Sequence, residues 1–156
     1  MSDAEFMRLA IAAAKEGIAK WQTPFGACIT RYGKVIVAAH NEVWKTTDIT
    51  AHAEVTAIRK ACRKLKTVDL SNCVIYSTTE PCPMCYSAIH WARIGRIIYG
   101  TRISDANAAG FHEMPIPDRV LKRLAEDNVE ITGDFLRAEN LELFRQWRNR
   151  KSSRTY

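Results

Sequence analysis

Long apolar runs are missing from this chain of 156 residues, and none approaches the ~18 residues of a membrane-spanning helix. The first residues show no signal-peptide pattern. No segment repeats and no linker-like stretch divides the chain. At this length it suits one domain, 1–156, able to bury about two-thirds of its unfolded surface. Closely spaced cysteines are scarce too. The five cysteines are an odd number, and Cys28, Cys62 and Cys73 fall in apolar runs where a free thiol acts as a small hydrophobe. That usage favours a reducing compartment, so a cytoplasmic protein is expected. Acidic residues are in deficit, leaving a net charge of +6. From Arg137 onward six basic residues face only Glu139 and Glu142. A basic terminal helix suits nucleic acid, although basic helix faces are more often simply solvated.

What the chain does contain is Glu80-Pro81-Cys82-Pro83-Met84-Cys85, preceded by His52-Ala53-Glu54. Cys82 and Cys85 are three apart, so at a helix start both sulfurs face the same way. The unsatisfied N–H groups and positive dipole end of a first helical turn favour thiolates. Two thiolates suit zinc, and His52 can supply a third ligand. Three protein ligands leave a fourth corner open for water, whose pKa then falls to about 7. Glu54 is placed to move that water's proton. Inside a helix a spacing of two would send His52 and Glu54 to opposite sides, so both are expected at a helix start. Alone, C-x-x-C also fits a redox pair or half of a structural zinc site. The redox reading needs no His or Glu upstream. The structural reading needs four ligands, and the sequence offers no second C-x-x-C and no H-x3-5-H. A structural zinc with the basic tail as a binding arm would leave Glu54 without purpose.

Around these motifs the sequence predicts a three-layer α/β/α sandwich with a mixed five-stranded sheet. Ser2 to Glu5 offers capping-box chemistry for a first helix reaching about residue 20. Strand-like runs at 25–30 and 35–39 read as a hairpin across Tyr32-Gly33-Lys34. A polar loop, 40–50, leads to the His52 helix, whose buried stripe reads Val55, Ile58, Cys62 and Leu65. Strands at 73–77 and 94–99 flank the helix bearing Cys85 and Ile89, which implies a right-handed parallel crossover. A long loop, 101–116, precedes a helix with Val120, Leu121 and Leu124, a strand at 129–132, and a last helix with Leu141, Phe144 and Trp147. Ligands of such sheets sit outside the carboxyl ends of strands, where Cys82 falls.

The pattern H-x-E followed by P-C-x-x-C is the signature of zinc nucleobase deaminases, and nearly the whole chain resembles the cytidine deaminase-like superfamily. Pro24-Phe25-Gly26-Ala27, the segment 51–62, Trp91-Ala92-Arg93, Ala109-Gly110-Phe111, Gln146-Trp147-Arg148-Asn149 and Tyr156 make it most similar to bacterial guanine deaminases. Two segments, 94–100 and 129–132, look instead like bacterial tRNA adenosine deaminases. The resemblance implies one Zn2+ on His52, Cys82 and Cys85, and deamination of guanine to xanthine and ammonia. The alternatives are adenosine in a tRNA anticodon loop, or guanosine. Glu54 would carry the water's proton to a ring nitrogen and on to the leaving amine. Glu113, after Phe111-His112, matches an acid that in this family is often Asp; otherwise it is a solvated loop acid. Asn41 would hydrogen-bond the purine edge, where a turn or cap role is the plain alternative. Phe25 and Trp91 would wall the base, and Tyr156 would close the site. The family also implies a homodimer exchanging the C-terminal helix and tail, 137–156. His40, His90 and His112 have no usable ligand spacing.

Overall fold

Local chemistry starts the first helix as expected. In the computed structural model, which describes residues 1–151 and 153–156, Ser2 caps α1 (Asp3–Ala19). Its hydroxyl accepts the Glu5 N–H at 3.4 Å, and the Glu5 carboxylate accepts the Ser2 N–H at 2.6 Å. The next two strands, β1 (Gly26–Arg31) and β2 (Lys34–His40), pair antiparallel across Tyr32 and Gly33. Both turn residues have positive φ, 50° and 70°, the geometry whose twist suits a two-residue hairpin. There follow α2 (Val43–Thr46), α3 (Ala53–Leu65), β3 (Cys73–Thr79), α4 (Pro83–Trp91), β4 (Arg96–Thr101), α5 (Ile103–Ala108), α6 (Asp118–Leu124), β5 (Glu130–Thr132) and α7 (Arg137–Arg148).

The sheet has the order β2-β1-β3-β4-β5. β1 runs antiparallel to both neighbours, while β3, β4 and β5 are parallel. This is the mixed five-stranded sheet the sequence predicts. α1 and α7 pack on one face, and α3, with α4 beside it, on the other. Ile29, Ile75, Ile97 and Ile98 are fully buried between the layers. Each such side chain contributes about 1.5–3 kcal/mol over leaving it exposed. Gly26 allows α1 to lie close on β1, because a Cβ there would come within 2.1 Å of the Ala10 carbonyl oxygen. No described helix is long and apolar enough to cross a membrane.

Three expectations are corrected. The deepest stripe of α3 is Ala53, Ala57 and Ala61, each 0 % exposed, with Val55 buried and Ile58, Cys62 and Leu65 half-buried beside it. Small side chains let the helix axis approach the sheet more closely than the bulkier set would. The segments read as loops hold short helices, α2 and α5. In α6, Leu124 stands 72 % exposed rather than facing the core.

Candidate active site

Two helix starts meet at the carboxyl end of β3. His52 is the N-cap of α3 and Cys82 the N-cap of α4, both with extended backbone (ψ 158° and 165°). Pro83 occupies the first turn of α4, where its missing N–H is not needed. His52 Nδ1 lies 3.7 Å from Cys82 Sγ and 3.6 Å from Cys85 Sγ. In a tetrahedral zinc site with ordinary bond lengths, a nitrogen and a sulfur on neighbouring corners are about 3.6 Å apart. The donor set therefore fits zinc in kind and in spacing. Hydrogen bonding from Cys85, then from His52, brings Cys82 down to about 4, while the bond to Cys82 and burial raise Cys85.

Glu54 sits in the first turn of α3, 6 % exposed. One carboxylate oxygen accepts the Ser77 hydroxyl at 2.8 Å, and the other accepts from the Cys85 thiol at 3.5 Å. Burial raises its pKa, favouring a carboxyl that holds a proton. Glu113 reaches the same place from the segment between α5 and α6, its backbone N–H held by Asn107 Oδ1 at 3.1 Å. Burial, then the negative charge of Cys82, pushes Glu113 up to about 7. Phe25, His52, Glu54, Thr79, Glu80, Cys82 and Glu113 line a space of about 10 Å³, which is roughly one water molecule. Outside it a cleft of about 270 Å³ is bordered by Ile49, His52, Cys82, Phe111, Glu113 and Tyr156.

The remaining candidates separate. Phe25 is buried edge-on to Phe111, ring centroids 4.8 Å apart. Asn41 is fully buried and bifunctional: its Oδ1 accepts the Val43 N–H at 3.0 Å, a turn role, while its Nδ2 donates to the Tyr156 hydroxyl at 2.7 Å. Tyr156 lies over the site within its own chain, with its ring 5.4 Å from that of His52 and 5.6 Å from that of Phe111. Arg154 over the Trp44 ring, at 3.7 Å, fastens the tail beside it. Trp91 does not wall this cleft. It ends α4, 82 % exposed, and eight residues of helix carry it ~12 Å along the axis from Pro83. His40 and His90 hold structural bonds, to the Asn41 carbonyl at 2.7 Å and to Asp127 at 2.8 Å.

Residues that sequence reasoning missed include Ser77, Phe111 as a wall, and a buried acid pair, Glu80 and Asp118. Asp118 is fully buried with neither carboxyl oxygen partnered. Burial, then the charge of Glu80, pushes it up to about 9. Because the folded chain keeps this proton to a higher pH than the unfolded chain does, the stability it contributes is fullest below about pH 4. It is lost as pH rises toward 9, by at most about 1.4 kcal/mol per pH unit. Asp118→Asn should flatten that slope, as measured by denaturant melts between pH 4 and pH 9.

Residues 1–101 match the cytidine and deoxycytidylate deaminase zinc-binding region, and the chain belongs to that family: it is a hydrolytic deaminase of the zinc-binding class. Among its relatives is the guanine deaminase of Bacillus subtilis strain 168, 40 % identical over 157 residues that span all of both chains. The tRNA-specific adenosine deaminase of Agrobacterium fabrum is 36 % identical over 146 residues, covering 88 % of this chain and 95 % of the relative. The solved structure of the guanine deaminase from Nitrosomonas europaea superposes with a TM-score of 0.86 at 29 % identity, over 94 % of this chain and 84 % of that one.

Proposed function

We propose that the chain hydrolyses guanine to xanthine and ammonia. The observation that carries this reading is the second carboxyl, Glu113, facing the same cleft as Glu54, joined to end-to-end similarity with a guanine deaminase. An acceptor at that position suits the exocyclic amino group that guanine loses; adenosine presents one as well, so the choice of guanine rests on the end-to-end similarity. His52, Cys82 and Cys85 would hold zinc, which when bound lowers the pKa of water to about 7. Glu54, shielded from solvent, takes the proton that water gives up and returns it to a ring nitrogen. Glu113, poised near 7, accepts from the amino group, takes the proton of the hydroxyl added to the ring carbon and hands it to that amino group as the C–N bond breaks, leaving a ring carbonyl and ammonia. Phe25 and Phe111, in contact with each other, form one wall against which the flat ring lies, where stacking contributes ~1–3 kcal/mol. Asn41 addresses the purine edge with the second N–H of the amide whose first donates to Tyr156.

Ammonia release measured over guanine, guanosine, adenosine, cytidine and an anticodon stem-loop bearing adenosine 34 tests this. Guanine should be turned over fastest; turnover confined to the stem-loop would overturn the reading. A tRNA deaminase needs an open basic groove for a flipped nucleotide, and a tail ending at Asn41 argues for the free base. Removing Tyr156 should lower guanine kcat/KM about tenfold or more, the worth of a lost hydrogen bond plus ring contact, in steady-state assays. The same reading includes a cytoplasmic homodimer in which residues 137–156 are exchanged, each tail making on its partner the contacts that it makes here on its own chain. None of the five cysteines is joined in a disulfide, which supports the reducing compartment. Sedimentation of the purified chain tests the dimer.

A further inference from the structure

Glu80 is buried, 6 % exposed, and takes part in none of the ion pairs among the described residues. Both of its carboxylate oxygens are committed to backbone. Oε2 accepts the Ile103 N–H at 3.1 Å, and Oε1 accepts the Asp118 N–H at 3.0 Å. Ile103 opens α5 and Asp118 opens α6, so each donor belongs to a helix start that lacks an intrahelical partner. The chain between those two anchors carries Phe111, His112 and Glu113. One side chain, two residues before Cys82, thus ties both roots of the segment that brings Glu113 to the cleft. Its own backbone is fixed as well, the Glu80 N–H donating to the Thr101 carbonyl at 2.7 Å. The Thr79 and Thr101 hydroxyls meet at 2.8 Å alongside it. Glu80 also lines the small inner space with Glu54 and Glu113.

We infer that Glu80 is a positioning residue, holding the 103–118 segment so that Glu113 stays turned toward the cleft, through two N–H bonds that a carboxylate accepts together. The inference rests on the reading of Glu113 as the group that meets the substrate. An amide cannot replace the carboxylate, because its single acceptor oxygen serves one root and its NH2 opposes the other donor.

Glu80→Gln, alone and combined with Glu113→Gln, tests this. Alone it should keep one zinc per chain, by metal analysis, and lower guanine kcat about 10- to 100-fold, as expected for losing a hydrogen bond to a charged group. In the Glu113→Gln background the same change should cost less than about threefold, since one function is already lost. Equal losses in both backgrounds, loss of zinc, or no loss at all would overturn the inference. Amide exchange in the unaltered chain decides the matter if Glu80→Gln does not fold. The Ile103 and Asp118 N–H groups should exchange at least tenfold more slowly than that of Met114 in the segment between them, and equal rates would refute the tie. Guanine turnover by the unaltered chain keeps the two claims apart. Its absence sinks the substrate reading, while the exchange rates still judge Glu80.

Discussion

Glu54→Gln is expected to leave one zinc per chain and to remove nearly all guanine turnover, a fall of about 10²–10⁴-fold. The two halves of that outcome have separate causes. Zinc is retained because the three donors are His52, Cys82 and Cys85, and Glu54 is not among them. An amide oxygen can still accept the Ser77 hydroxyl that orients Glu54 at 2.8 Å, so the local packing survives. What the amide lacks is basicity. Burial of the carboxyl raises its pKa, which strengthens it as a proton carrier between water, ring and leaving group. Metal analysis and xanthine formation on the same sample check this. Substantial residual activity with zinc present would remove Glu54 from the role.

The second large effect is metal removal. Chelated protein should be inactive, and should melt roughly 10 °C lower than the zinc-loaded form. A ligand bound only by the folded state contributes about 4 kcal/mol at a thousand times its dissociation constant, and at this chain length each kcal/mol is worth about 2–4 °C. The structural reason lies at the two helix starts. Zinc would tie the starts of α3 and α4 together through His52, Cys82 and Cys85, whose donor atoms stand 3.6–3.7 Å apart. Added zinc should restore both the melting temperature and turnover, whereas Cys85→Ala should have the low melting temperature and remain unresponsive to zinc. Thermal melts with and without chelator give the answer.

Much of this was legible because short-range chemistry decides it. A spacing of two between His52 and Glu54 only works at a helix start, and α3 does begin at Ala53 with His52 as its cap. The parallel β3–α4–β4 unit follows from strand and helix lengths alone. Trp91, a wall only by family resemblance, stands away from the cleft because α4 carries it ~12 Å from Pro83. The α3 stripe failed because hydrophobicity points to Val55 and Ile58, while closeness of packing is set by alanine. α2 and α5 are too short to show a period. Glu80 was in plain view before Pro81, but its partners, Ile103 and Asp118, are 23 and 38 residues away in sequence. No local pattern announces bonds to backbone at that distance.

X-ray absorption at the zinc edge of the loaded protein probes the coordination directly. The account predicts two sulfurs near 2.3 Å, one imidazole nitrogen near 2.0 Å and a light oxygen scatterer that an inhibitor displaces. A shell made wholly of protein donors, or protein that takes up no zinc, would contradict it.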